Sequence, residues 1–188
     1  MGLGIGTLAR YGRVGDSFRF YEIDPDVVQH AREHFTYLSD SAAHVDVVLG
    51  DGRLSLERES PQNYDLLVLD AFSSDAIPVH LLTREAMEIY QRHLKPDGVI
   101  AIHISNRFFD LRATVNRLAE EIGLRSEIIE SKSNEQLGTY HAHWMLLSRN
   151  AKFWSKPDVQ SAVAQSLNDR RQVPLWTDQF SNLISILK

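Results

Sequence analysis

The chain has 188 residues, 43% of them hydrophobic and 24% charged, which is enough to bury one core and too little for two of comfortable size. Its formal net charge of −5 argues against nucleic acid as a partner, since phosphate binding needs a basic face, and suits a small cationic substrate. It has no cysteine, which excludes disulfides, thiolate metal sites and cysteine nucleophiles.

Gly2, Gly4 and Gly6 open the chain as a G-x-G-x-G turn that should lead into a helix. Such a turn lets backbone amides approach a ligand without an intervening side chain. Residues 18–23 read as a strand, with Glu22 near its end. A carboxylate about 20 residues beyond a glycine turn is placed to accept both hydroxyl hydrogens of a ribose. Asp24-Pro25 then supplies an N-cap and a first-turn proline, and Val27, Val28, Ala31, Phe35 and Leu38 recur at helical spacing. Residues 45–49 form the next strand, stopped by Gly50-Asp51-Gly52. Asp51 could accept from an adenine amino group, although a D-G pair is also a common turn.

Residues 64–70 are a nearly continuous apolar run of the kind buried on both faces of a parallel sheet. Asp70 ends it, and ligands of open α/β sheets sit beyond the carboxyl ends of strands. Asp75 follows in the same segment, and two acids there could bind an ammonium and help to deprotonate it. Thr83 can cap a helix whose Met87, Tyr90 and Leu94 face inward, and Lys95-Pro96-Asp97-Gly98 is a turn into a strand over 99–105. Leu111, Val115, Leu118, Ala119 and Ile122 define another amphipathic helix, ahead of strands over 126–130 and 141–147. A helix over 157–167 and an irregular Trp176-Thr177-Asp178 segment complete the chain.

The alternation of strands and helices predicts an α/β, Rossmann-like, mostly parallel sheet in one domain, with a core over 2–150 and a tail over 151–188. Only Met1 precedes the glycine turn, so the strand expected before it would be missing. A homodimer is one way to compensate for the exposed sheet. No apolar run is long enough to span a membrane and no export signal is evident, so the cytoplasm is the simplest assignment. His141 and His143 share a strand face, but no third ligand is suggested, and no metal is expected. His80 and His103 read as packing or hydrogen-bonding residues. Tyr140 could line a ligand cleft, while Trp144, Trp154 and Trp176 are core candidates.

Together, the runs Gly2-Leu3-Gly4-Ile5-Gly6-Thr7-Leu8-Ala9, Tyr21-Glu22-Ile23-Asp24-Pro25, Gly50-Asp51-Gly52-Arg53, Leu67-Val68-Leu69-Asp70-Ala71-Phe72 and Leu94-Lys95-Pro96-Asp97-Gly98-Val99 resemble one family. It is the spermidine synthase-like branch of the class I S-adenosylmethionine-dependent methyltransferase fold. The resemblance implies a seven-stranded sheet whose last strand is antiparallel, and decarboxylated S-adenosylmethionine or S-adenosylmethionine as co-substrate, with no metal. It assigns the ribose to Glu22, the adenine to Asp51 with Gly52, and the attacking amine of a polyamine to Asp70, with Asp75 and Tyr140 on the substrate side. The resemblance does not extend to the family's amino-terminal β domain, which is not expected in this chain. Its second acid comes five residues after the first rather than three, and its glycine loop has no acid. Aminopropyl transfer to a di- or polyamine is the leading expectation. Methyl transfer and a non-catalytic nucleoside-binding module of a larger protein are the alternatives.

Overall fold

A computed structural model describes residues 1–71, 77–133, 140–164, 169 and 171–188. The chain falls into two compact units, Met1–Glu59 and Ser60–Lys188.

In the first unit a 3-10 turn, Thr7–Tyr11, is followed by β1 (Ser17–Glu22), α1 (Pro25–His34), β2 (His44–Leu49) and α2 (Gly52–Arg58). The glycine turn thus opens into a single 3-10 turn rather than the expected α-helix. β1 and β2 pair in parallel, from Ser17 opposite His44 to Glu22 opposite Leu49. α1 starts as its sequence dictates, with the Asp24 side chain accepting from Asp26 N–H and Pro25 in the first turn. Its inner face packs Ala31, Val27 and Val28 with Leu3, Ala9 and Phe20 in the unit's core.

Arg19 ties this unit together. It donates to Asp46 Oδ2 at 2.7 Å, to Glu59 Oε1 at 2.9 Å and to the Tyr21 hydroxyl at 3.1 Å, and that hydroxyl donates to Glu59 Oε2 at 2.9 Å. Burial alone would lower the Arg19 pKa, but the bonds to Glu59 and Tyr21 outweigh it and hold the guanidinium above its ordinary value.

The second unit contains β3 (Tyr64–Leu69), α3 (Arg84–His93), β4 (Leu94–His103), α4 (Arg112–Glu121), β5 (Arg125–Ser131), β6 (Ala142–Ser148), α5 (Ala151–Trp154) and α6 (Pro157–Ala162). Its sheet runs β3-β4-β6-β5, with β3 parallel to β4 and β6 antiparallel to both β4 and β5. β6 therefore runs against the common direction of the other three strands, as expected of the last strand. Leu69, Met87, Tyr90, Ile102, Leu118 and Met145 are buried in this unit.

Three expectations need correction here. β3 is not covered on both faces: it is an edge strand of its sheet, and Leu66 is 54% exposed. The turn at Lys95-Pro96-Asp97-Gly98 lies within β4, where the register jumps from Tyr64–Leu94 to Leu66–Val99 and the intervening residues bulge out of the ladder. The bulge is held by Ser148 Oγ donating to Gly98 O and Asn150 Nδ2 donating to Asp97 O. The last helix ends at Ala162 instead of reaching 167, because Val163 bridges to Ile129 and Ala164 N–H donates to Ile128 O. The tail docks on α3: Arg84 N–H donates to Trp176 O, Asp178 N–H donates to Glu85 Oε2, and Trp176 is fully buried.

Candidate functional site

The first unit assembles the glycines, Glu22 and the Gly50-Asp51-Gly52 turn at the carboxyl ends of β1 and β2. Gly2 N–H donates to Tyr21 O and Gly50 N–H donates to Glu22 O, so both turns are stitched to the end of β1. Glu22 is 9% exposed, and its carboxylate is already engaged. Oε2 accepts from Leu3 N–H at 2.8 Å and Oε1 from Asp24 N–H at 3.0 Å. A carboxylate offers about four lone-pair sites, so two bonds to the backbone leave acceptor capacity on each oxygen. Glu22 braces the glycine loop, with lone pairs beyond those two bonds.

The loop itself requires glycine. Gly6 has φ of 85°, and a Cβ there would lie 2.8 Å from Leu38 Cδ2. A Cβ on Gly4, at φ of 54°, would meet nothing within 4 Å, so this corner is open. Among the described residues no hydrogen bond uses the N–H of Gly4 or of Ile5, since the loop's own bonds come from Gly2, Leu3 and Gly6. Two backbone donors at an open glycine corner are suited to an oxygen-bearing ligand. Ile5 and Ile23, flanking the loop and Glu22, are exposed apolar side chains.

Asp51 has a local duty that the sequence reading weighed only as a turn. It is the N-cap of α2, its Oδ1 accepting from Leu54 N–H at 2.8 Å. Helix α2 itself was not anticipated, although Asp51 followed by Leu54 and the fully buried Leu56 was its signal. Gly52 is the first residue of α2, and a Cβ on it would lie 2.7 Å from Met1 Cγ.

In the second unit Asp70 directly follows β3 and is exposed. Its Oδ1 is 3.0 Å from Nδ1 of His103, the last residue of β4, and the His103 ring lies against Trp144, tilted by 34° with centroids 4.9 Å apart. The sequence gives His103 as a packing or hydrogen-bonding residue, and its contacts with Trp144 and Asp70 are of both kinds. Pairing of β3 with β4 is what brings it to Asp70, and no motif encodes that contact. Tyr140 is 87% exposed, so the described residues form no cleft wall around it. His80 is exposed in the 3-10 turn Val79–Leu81. Asp75 lies outside the described residues.

The sequence suggests no third ligand beside His141 and His143, and the strand pairing supplies a candidate. Their third member is Glu130 on β5, whose Oε1 is 2.8 Å from His141 Nε2 and 3.8 Å from His143 Nε2. The hydrogen bond to His141 holds the Glu130 carboxyl below its ordinary range, while burial, aided by His141, lowers His143.

A parallel-stranded α/β sheet with an antiparallel strand and a glycine loop braced by a strand-end acid defines a Rossmann-like methyltransferase-fold protein. Solved structures show the same fold. A probable spermidine synthase from Corynebacterium glutamicum superposes with a TM-score of 0.64 at 20% identity, over 86% of this chain and 59% of that one. Human methyltransferase-like protein 13, in complex with SAH, superposes with a TM-score of 0.66 at 18% identity, over 98% of this chain and 85% of that one. Residues 5–129 match the spermine/spermidine synthase domain, and the chain belongs to that family. A polyamine aminopropyltransferase from Vibrio vulnificus (strain CMCP6) is 36% identical over 176 residues, which span 85% of this chain and 58% of the relative's length. The chain thus covers a little over half of that relative.

Proposed function

We propose that the chain is an aminopropyltransferase domain, moving an aminopropyl group from decarboxylated S-adenosylmethionine to a di- or polyamine. The observation that carries this reading is the placement of Glu22, Asp51 and Asp70, each at the carboxyl end of its own parallel strand. Glu22 and Asp51 also have local structural tasks, at the glycine loop and at the start of α2, so it is the coincidence of both with a glycine loop in one unit, and of Asp70 with His103 in the other, that supports the reading. Glu22 would take the ribose hydroxyls and Asp51, through its remaining acceptor capacity, the adenine amino group. Ile5 and Ile23 would give the nucleoside apolar contact.

The reaction is an in-line displacement. The lone pair of an uncharged amine attacks the carbon next to the sulfonium, the C–N bond forms as the C–S bond breaks, and methylthioadenosine leaves with the C–S electron pair. The new ammonium then sheds a proton. Asp70 would orient the amine and accept that proton or the one lost before attack, with His103 holding the carboxylate in place. His103 acts as a positioning residue in this scheme. The family membership and the acidic balance of the chain support an amine acceptor.

One observation favours methyl transfer from S-adenosylmethionine instead. The free N–H groups of Gly4 and Ile5 suit the carboxylate of an intact methionine moiety, whereas no acid in 2–6 stands ready for an aminopropyl ammonium. Calorimetric titration with S-adenosylmethionine, its decarboxylated form and methylthioadenosine, with and without putrescine, separates the two. Preference for the decarboxylated donor or methylthioadenosine supports aminopropyl transfer, and preference for S-adenosylmethionine replaces it. Asp70→Asn should leave nucleoside affinity nearly unchanged while lowering turnover strongly; equal loss of both would remove Asp70 from the amine.

A further inference from the structure

We infer that Glu130, His141 and His143 form a binding site for a borderline transition-metal dication, of which Zn²⁺ is the representative. The site is built by strand register. β5 and β6 pair antiparallel with Glu130 directly opposite His143, and His141 lies two residues before His143, so all three side chains stand on one sheet face. One ligand atom from each lies within 4.8 Å of the other two. A metal held at about 2.0–2.2 Å by each would need ligand atoms roughly 3–3.5 Å apart. The two separations from Glu130 Oε1, 2.8 and 3.8 Å, bracket that spacing, and the ligand nitrogens of the two histidines lie within 4.8 Å of each other.

A second observation points into the same cluster. His143 Nε2 is buried and has no hydrogen-bond partner among the described residues. Buried polar atoms are ordinarily paired, and an imidazole nitrogen left over beside a carboxylate and a second imidazole has the chemistry of an unused ligand. The backbone that carries it is fixed: His143 N–H donates to Ser105 Oγ at 2.7 Å, and its carbonyl accepts from Ile104 N–H at 2.9 Å. His141, half exposed, gives an ion a way in.

Donor type sets the class of ion. Two imidazoles and one carboxylate suit Zn²⁺, Co²⁺ or Ni²⁺, whereas Mg²⁺ and Ca²⁺ take all-oxygen shells. Three protein ligands leave a coordination position open. The site is separate from Asp70. His103 pairs with Trp144 and shares its face, while His143, the neighbouring residue of β6, points to the other. A bound ion would clamp the end of β5 to the start of β6.

The test uses the full chain, stripped with a chelator and titrated with Zn²⁺ by calorimetry and with Co²⁺ by visible absorption. The His30 and His34 rings, 5.3 Å apart on the exposed face of α1, are the natural competitor for a metal. The expected result is one saturable site that persists in H30Q/H34Q. Affinity should fall by at least about tenfold in both H141Q/H143Q and E130Q, since even loss of an outer-shell partner costs that much. In the wild-type chain, Co²⁺ should broaden and shift the proton resonances of the His141 and His143 rings first, a readout that needs no variant to fold. Absence of saturable binding, binding unchanged in H141Q/H143Q, or paramagnetic shifts centred on His30 and His34 would each overturn the assignment.

Discussion

Glu22 braces the glycine loop and is also the acid proposed for the ribose, which makes the choice of substitution decisive. Its oxygens hold the N–H groups of Leu3 and Asp24, and the remaining lone pairs are those proposed for the ribose. Glu22→Gln keeps one acceptor oxygen and offers an amide that cannot accept. Nucleoside affinity should drop by about 1.5–3 kcal/mol, the range for hydrogen bonds to a charged group. Calorimetry checks this, and wild-type affinity in the variant would take the ribose away from Glu22. Gly6→Ala probes the loop without touching any acid. The substitution combines a left-handed φ with a Cβ 2.8 Å from Leu38 Cδ2, so it should destabilise the chain by about 1–3 kcal/mol, read from the urea midpoint. His103→Ala should leave donor affinity alone and lower kcat through loss of the contact to Asp70. A change in donor affinity of the same size would mean that His103 supports the fold and not the amine.

At the scale of elements, α3 shows how one residue can fasten both a helix and a tail. Thr83 Oγ1 accepts from Ala86 N–H as the N-cap and donates to Asp178 Oδ1 at 2.8 Å, and Thr83 is buried. Thr83→Ala should cost about 1–2 kcal/mol in a urea unfolding curve, at the upper end for a cap because the tail contact goes with it. The cap itself was legible in the sequence, as were Asp24-Pro25 and the strands to within a few residues apart from the start of β4, because these follow from local chemistry and from short apolar runs. What escaped notice depends on pairing between segments. Glu130 is 11 residues from His141 and acquires meaning only through the β5/β6 register. His103 meets Asp70 only because β3 lies beside β4. Helix α2 was missed for a different reason: its short amphipathic pattern was hidden behind a D-G pair that reads equally well as a turn.

At the scale of the whole molecule, the charges of the second unit set its response to acid. Glu85, Asp110, Glu130 and Asp169 all have lowered pKa values. For Asp110, burial pushes the carboxyl up, but hydrogen bonds and charge from Arg112, with Arg171 beyond, pull it down further. Asp110 also fastens the tail, its N–H donating to Ile186 O. A carboxyl whose folded pKa is depressed contributes stability that is fully present above the ordinary value near 4 and is lost as pH falls through the folded value. The expected outcome is a urea midpoint that holds from neutral pH down to about 5 and declines below about 4. In Asp110→Asn the neutral-pH midpoint should already be lower and the acid decline shallower. An unaltered pH profile in that variant would show that this ion pair does not couple to unfolding.

The division at Glu59 and Ser60 also determines what light can see. Trp144, Trp154 and Trp176, the chain's three tryptophans, all belong to the second unit. Indole emission excited at its red edge therefore arises wholly from the unit that carries Asp70, and the unit that carries the glycine loop and Glu22 has no indole of its own. Tyr11, exposed at the end of the 3-10 turn that follows the loop, is the position at which a Tyr11→Trp reporter would make donor occupancy visible without disturbing a buried contact.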